Sequence, residues 1–293
     1  MSSFFSYLIA GISLGGIYAL IALGYTMVYG IAKMLNFAHG DVIMIGGYVA
    51  FTAISTMQQP VWIAVPCAII ACILLGVVIE KVAYKPLRSA TPLAVLITAI
   101  GVSYLLQNVA LLIFGSQARN FTSVVPDDFS VSLGSINISG ETVVTILASV
   151  AIMVALTLFV NHTKSGKAMQ AVSEDRGAAQ LMGINVNRTI SLTFAIGSAL
   201  AGVASVLLCS TYPQISPYTG AMPGIKAFTA AVFGGIGSIP GAMIGGVVLG
   251  VIENLSKAYI SSELSDAIVF AVLIIVLLVK PTGLLGKKIN EKV

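Results

Sequence analysis

The chain has 293 residues, of which 57% are hydrophobic and only 9% are charged, with a formal net charge of +4. Soluble domains carry about 25% charged residues, so a chain this apolar cannot cover itself with a hydrated surface. The small net charge gives no indication of a nucleic-acid partner. The composition predicts one integral membrane domain over residues 1–293.

Long segments without Asp, Glu, Lys or Arg recur along the chain, and most exceed the roughly 18 residues that predict a transmembrane helix. The apolar runs are continuous and lack the alternation of a strand, so they predict helices and not a barrel. The first run is too long for the apolar region of a signal peptide, and we expect it to stay as an anchor. The predicted spans are 5–30, 41–57, 61–84, 92–115, 142–161, 189–210, 225–236, 240–258 and 266–280.

These spans predict an all-α polytopic bundle of about eight transmembrane elements, with nine possible. The count depends on the region 225–258, where a Gly/Ser/Pro break separates a piece of about 12 residues from a longer one. Twelve residues of helix span about 18 Å, which is short of the roughly 30 Å hydrocarbon core. The short piece is therefore predicted to be a re-entrant half-helix or a short crossing.

Basic residues predict the orientation, because cytoplasmic loops collect Lys and Arg. Three basic clusters are therefore placed inside, together with the C-terminus and the loop 162–188, and the N-terminus is placed outside. The loop 116–141 carries Arg119 against three carboxylates, Asp127, Asp128 and Glu141, and is predicted to be external. The clusters are Lys81, Lys85 and Arg88; Lys164, Lys167, Arg176 and Arg188; and Lys280, Lys287, Lys288 and Lys292.

The sequence offers no recognisable active site. Cys67, Cys72 and Cys209 lie in apolar runs and are interpreted as small core residues. The two histidines, His39 and His162, are far apart, and no metal-binding spacing, hydrolase motif or Walker A motif occurs. We therefore predict a conduit and not an enzyme, with no metal or cofactor of its own.

A polar stretch, 166–188, interrupts two apolar runs. Ser173 is predicted to cap a helix over 174–182, because Glu174 and Asp175 suit its first turn and Gly183 suits its end. Ala178, Leu181 and Met182 would share a small apolar face. Since a helix this short is marginal in water, it either packs on its own bundle as a connector or binds a partner.

The segment LNFAHGD, residues 35–41, places polar groups directly after an apolar span. Asn36, His39 and Gly40 could form a helix break near a transport path, because polar groups at membrane depth are costly and often functional. In the alternative interpretation, the segment is a turn at the cytoplasmic end, with Lys33 and Asp41 facing water. His39 is not predicted to be a ligand.

Glycines recur every four residues at Gly237, Gly241 and Gly245, which predicts one helix face suited to close packing in lipid. Ser238 and Pro240 suit the start of a helix, so two half-helices could meet here. Such breaks occur near transporter sites, which makes Gly237 and Gly241 candidate path residues. Close packing alone is the alternative explanation.

Four further polar residues are assigned simpler roles. Gln107 and Asn108 are predicted to form hydrogen bonds between helices, and Glu253 and Lys257 to pair at a solvated external end. All charges are then expected at the ends of spans. This distribution argues against a self-sufficient secondary transporter or channel, which needs buried ionisable groups for coupling.

Three stretches carry a resemblance to a known family. They are YALIALGYTMVYGIAKMLNFAHGDVIMIGGYVAF (18–51), GIKAFTAAVFGGIGSIPGAMIGGVVLGVIENL (224–255) and KPTGLLG (280–286). The chain resembles the permeases of branched-chain amino acid ABC importers over nearly its whole length, with the least similarity in the loop 116–140. The pattern Glu174-Asp175-x-x-Ala178-Ala179-x-x-x-Gly183 also resembles the cytoplasmic coupling loop of ABC-importer permeases.

The resemblance implies a coupling role for Glu174, Asp175, Ala178, Ala179 and Gly183 at a separate ATP-binding subunit. It also implies a second homologous permease, two cytoplasmic ATP-binding subunits that hold ATP and Mg²⁺, and a periplasmic binding protein, in a bacterial or archaeal cytoplasmic membrane. The implied cargo is leucine, isoleucine and valine. Urea, amides or other amino acids remain alternatives.

Overall fold

The computed structural model describes residues 2–126, 129–133 and 136–286. Asp127, Asp128, Lys287, Lys288 and Lys292, which entered the orientation argument, lie outside these ranges. The helices are α1 (Ser2–Ala32), α2 (His39–Phe51), α3 (Val61–Ile79), α4 (Pro92–Phe114), α5 (Gly140–His162), α6 (Lys164–Glu174), α7 (Arg176–Leu181), α8 (Val186–Thr211), α9 (Ala221–Gly234), α10 (Ile239–Tyr259) and α11 (Ser265–Val279). The strands are β1 (Arg119–Asn120), β2 (Ser130–Leu133), β3 (Ile136–Ser139) and β4 (Gln214–Ile215).

The all-α polytopic fold is confirmed. Among the described residues, six helices are long and apolar enough to cross a membrane: α1, α3, α4, α5, α8 and α10. Three shorter helices, α2, α9 and α11, complete the bundle and lie at the positions of the three remaining predicted spans, and α11 is also apolar. Two π-helical turns, Thr52–Thr56 and Glu80–Tyr84, lengthen α2 and α3.

The bundle has two ends of different character. At one end, which we call the basic face, α6 and α7 lie beside the end of α1, because Arg176 donates a hydrogen bond to the Ala32 carbonyl. At the other end, the strand face, β1 pairs with β4 and β2 pairs with β3 in two antiparallel ribbons. The helices α1 and α8 run between these faces in opposite directions and are the most buried spans.

Half-helix α2 begins inside the bundle. After α1 ends at the basic face, residues 33–38 return without helical structure, and His39 then packs against Gly24 and the ring of Tyr25. Gly24 lies about 12 Å from the end of α1, at about 1.5 Å per residue. The return segment therefore covers the first part of this crossing, and α2 covers the part towards the strand face.

Half-helix α9 has the same design in the opposite direction. After α8 ends at the strand face, residues 212–220 lead inwards, and α9 runs to the basic face. The starts of α2 and α9 meet at two glycines. A Cβ atom on Gly40 would lie 2.6 Å from the Gly220 carbonyl oxygen, and one on Gly220 would overlap with the Gly40 carbonyl. This reciprocal contact brings the two backbones together inside the bundle.

The contact marks the centre of an inverted repeat. The series α1 to α4 and α8 to α11 each contain a long helix, a half-helix, a long helix and an outer helix. Their packing matches: α1 lies on α10 as α8 lies on α3, and α2 contacts α8 and α4 as α9 contacts α1 and α11. Because the two series run in opposite directions, they have the arrangement of an inverted repeat, with Gly40 and Gly220 near the point where the two half-helices meet.

The glycine repeat of the sequence is divided by the structure. Gly237 lies in the turn between α9 and α10, with a φ of 92°, so its predicted place on the helix face was wrong. Gly241 and Gly245 do lie on α10, where they allow the backbone of α9 to approach closely. Ser238 caps α10 as predicted, with its hydroxyl accepting from the Gly241 N–H at 3.2 Å, and Pro240 lies in the first turn.

We expect Gly220→Ala to destabilise the bundle by about 3 kcal/mol or more, because the new methyl group meets backbone that cannot rotate away. Thermal unfolding of the purified protein in detergent measures the loss. Gly101→Ala is the matched control, since a Cβ there has nothing within 4 Å. Equal melting temperatures for the two variants would contradict the close backbone contact.

Candidate functional site

Helices α6 and α7 form a bent pair on the basic face. Thr163 caps α6, its hydroxyl accepting from the Gly166 N–H at 3.0 Å, and α6 continues to Glu174. Asp175 has an extended backbone and caps α7, with its carboxylate accepting from the Ala178 N–H at 2.9 Å. The prediction of Ser173 as the cap was wrong, because Ser173 lies in the last turn of α6 and donates to the Gln170 carbonyl.

The end of α7 and its C-cap residue expose an apolar surface. Leu181 is 90% exposed and Met182 82% exposed, although both belong to a polar segment outside the apolar spans. Ala178 is also exposed, whereas Ala179 faces the protein and is buried. Gly183 ends the helix with a φ of 84°. Large apolar side chains on a hydrated helix indicate an interaction surface, since their burial by a partner is favourable.

Two clefts flank α7. The first has a volume of about 650 Å³ and is mainly apolar, with Ala168, Ala171, Ala178 and Met182 in its wall. The second, which we call the cationic cleft, has a volume of about 550 Å³. Its lining includes Arg88, Arg176, Gln180, Asn185, Asn187 and Ile190.

The half-helix junction gathers three of the candidate path residues. Asn36, His39 and Gly40 are buried together at the start of α2. The Tyr84 hydroxyl donates to the Asn36 side chain at 2.9 Å. Gly237 and Gly241 do not join this group, since Gly237 packs near Gly30 at the basic end of α1 and Gly241 packs on α9.

Asp41 is not in water, which overturns the hydrated-turn interpretation for this residue. It is 2% exposed and accepts a hydrogen bond from Gln107 of α4 at 2.9 Å. Gln107 thus links two helices as predicted. Asn108 does not, because its amide donates to the Tyr104 carbonyl within α4.

A buried ionic cluster lies among α1, α9, α10 and α11. The Glu253 carboxylate is 1% exposed and accepts from Lys226 at 2.8 Å, Lys257 at 2.6 Å and the Tyr18 hydroxyl at 2.8 Å. Lys226 also pairs with Asp266 at 2.6 Å. The predicted Glu253–Lys257 pair is confirmed, but Glu253 is not solvated, and the burial of Lys226 and Glu253 contradicts the expectation that the charges lie at solvated ends of spans.

The sequence did contain a signal for this cluster. Lys226 is the sole Asp, Glu, Lys or Arg between residues 189 and 252, so it had to find a buried partner or leave the membrane. With two lysines and two carboxylates, the cluster is balanced in charge. Across the part of the chain that the structure describes, no group of three or more His, Cys, Asp or Glu residues is arranged to hold a metal ion.

We expect Lys226→Met to lower stability by about 3 kcal/mol, because it removes the buried cation that Glu253 and Asp266 share and leaves the buried Glu253 with only the half-exposed Lys257. Lys257→Met is the matched control and should lose less, since Lys257 is 34% exposed and Glu253 keeps Lys226. Thermal unfolding in detergent compares the two. A loss at Lys257 equal to that at Lys226 would contradict the central place of Lys226.

Comparison with known proteins places this architecture in a family. A family model described as "Branched-chain amino acid transport system / permease component" matches residues 7–277. A solved structure, PsaBC from Streptococcus pneumoniae in complex with Fab, contains a chain with a TM-score of 0.50 and 15% identity, covering 94% of this chain and 91% of its own. At that identity the similarity concerns the fold alone.

Relatives match the chain from end to end. The high-affinity branched-chain amino acid transport system permease protein LivH of Salmonella typhimurium is 48% identical, with 99% of this chain and 98% of that protein covered. The corresponding permease protein BraD of Pseudomonas aeruginosa is 45% identical, with 98% and 97% covered. The chain therefore belongs to the family of permease components of branched-chain amino acid transport systems.

Proposed function

We propose that this chain is the membrane-spanning permease subunit of an ATP-driven, binding-protein-dependent importer of leucine, isoleucine and valine. It works with a second homologous permease, two cytoplasmic ATP-binding subunits that hold ATP and Mg²⁺, and a periplasmic binding protein. The cargo is assigned from two relatives, 48% and 45% identical over almost the full chain, whose names specify branched-chain amino acids.

The exposed apolar surface of α7 carries the mechanistic part of the proposal. Leu181 and Met182 project from a short helix that a docking groove in the ATP-binding subunit would cover. Glu174 and Asp175 form the bend between α6 and α7, and Asp175 fixes the start of α7 by its cap. Ala178 has only a methyl side chain and Gly183 has none, so a partner can approach the backbone closely. ATP-driven movement of that partner would then be transmitted through α6 and α7 to the bundle.

The distribution of charge supports a cytoplasmic basic face. Nine described basic residues lie on this end of the bundle or in its loops, as expected for segments that remain inside. The C-terminal segment joins the same end, because the Leu284 N–H donates to the Phe233 carbonyl at 2.9 Å. The nine residues are Lys33, Lys81, Lys85, Arg88, Lys164, Lys167, Arg176, Arg188 and Lys280.

Asp41 favours a second candidate function, a transporter driven by the proton gradient. It is a buried carboxylate near the middle of the bundle, and no ion pair reaches it within the described ranges. Such groups are typical of proton relays. Under the proposal of an ATP-driven permease, Asp41 has the structural role of joining α2 to α4 through Gln107.

Uptake of radiolabelled leucine separates the two functions. The chain is expressed with its transport partners in cells that lack high-affinity uptake, with an active or a hydrolysis-deficient ATP-binding subunit. We expect uptake to require ATP hydrolysis, to compete with isoleucine and valine, and to persist in Asp41→Asn. Uptake that survives the deficient subunit and stops with the proton gradient or in Asp41→Asn would contradict the proposal, and competition by urea or amides would change the cargo.

The coupling role of α7 is tested by Ala178→Asp and Gly183→Leu. We expect each to lower ATP-driven uptake about tenfold or more, because a buried charge or a strained, bulky residue prevents close docking. Both sites are exposed and Gly183 has nothing within 4 Å of a Cβ, so the bundle should stay folded. Ser262→Asp, an exposed site at the strand face, is the charge-matched control. Unchanged uptake in both α7 variants would remove the coupling assignment.

A further inference from the structure

The cationic cleft contains more positive charge than the protein compensates. Arg88 pairs with Glu80 and donates to the Asn187 side chain, so its charge has one carboxylate partner. Arg176 donates to the Ala32 carbonyl, and no carboxylate lies within ion-pair distance of it in the described part of the chain. Lys33, next to Ala32, is exposed and adds another positive charge to this region.

The two guanidinium groups are close enough to affect each other. Partial burial lowers the pKa of Arg176, and the positive charge of Arg88 lowers this pKa further. The Arg88 Nε–H is buried and has no hydrogen-bond partner among the described residues. Glu80 cannot neutralise both arginines easily, because it is 0% exposed and also accepts from the Ser191 hydroxyl. Like charges held in a half-buried cleft are unfavourable unless an anion joins them.

The position of the cleft indicates where this anion comes from. Gln180 and Gly183 of the α7 segment form one wall, so a protein docked on Leu181 and Met182 would also cover the cleft. The start of α8 also lines the cleft, where Asn185 and Asn187 are exposed polar residues that suit a polar partner better than lipid chains. The start of a long helix also favours negative charge, through its dipole.

We propose that the cationic cleft binds an acidic side chain, Asp or Glu, of the ATP-binding subunit, as a second attachment point beside α7. This inference rests on the proposed function, since it needs an ATP-binding partner. A guanidinium group suits a carboxylate because its parallel N–H groups match the two oxygens. The α7 surface would supply apolar contact, and the cleft would supply charge that fixes the orientation of docking.

The test measures how strongly the chain, in its complex with the second permease, captures purified ATP-binding subunits at increasing salt concentrations. We expect Arg176→Gln to weaken capture about tenfold at low salt and to reduce its salt dependence, since ion pairs are screened. Arg176→Lys should retain part of the affinity, because charge remains without the planar fork. Arg188→Gln is the matched control, an exposed arginine of the same face that does not line the cleft, and should behave as wild type.

Carbodiimide treatment of the Arg176→Lys complex gives a direct assignment. We expect an amide bond between the new lysine and a carboxylate of the ATP-binding subunit, identified by mass spectrometry. Capture by Arg176→Gln equal to wild type, with the same salt dependence, would overturn the inference and leave the proposed function intact. If Arg176→Gln in nanodiscs binds less phosphatidylglycerol than wild type but captures the ATP-binding subunits equally well, the cleft binds a lipid, and the inference is overturned as well. Failure of the wild-type complex to capture any ATP-binding subunit would overturn both.

Discussion

The need to pair every backbone amide away from water shapes this bundle, and the contact between Gly40 and Gly220 is where that need is hardest to meet. Two chain segments return into the bundle without helical structure and then begin half-helices α2 and α9. This is tolerated because protein surrounds both helix starts. His39 packs against α1, the Tyr84 hydroxyl donates to the Asn36 side chain, and the carbonyl groups of Gly40 and Gly220 each contact the other half-helix. The inverted repeat brings both exceptions to one point, so one buried region accommodates them together.

The buried charged groups also follow the repeat. The cluster around Glu253 joins α9 to α10 and α11, and Asp41 joins α2 to α4 through Gln107. Each half-helix is thus tied by polar contacts to the outer helix of its own repeat.

Much of this fold could be predicted from the sequence, because continuous apolar runs, capping residues and basic clusters act locally. The all-α polytopic bundle, the Ser238 cap and the end of the short polar helix at Gly183 were predicted correctly. The errors concern partners distant in sequence. Glu253 was interpreted as solvated because its i+4 lysine was visible, whereas Lys226 and Asp266 come from other helices. The bend at Asp175 was missed because Ser173, Glu174 and Asp175 all suit a helix start, and only the Thr163 cap decides where α6 begins. The coupling and path roles of the predicted site residues stay predictions.

The proposed function requires the chain to form a conduit whose movement is powered by a separate ATPase at its basic face. Proteoliposomes that contain this chain, its permease partner and the ATP-binding subunits test this directly, with the binding protein and leucine outside and no ion gradient. We expect leucine to accumulate inside when ATP is supplied on the side of α6 and α7, and not to accumulate with a non-hydrolysable analogue. Accumulation driven by an imposed proton gradient, with the ATP-binding subunits left out, would contradict it.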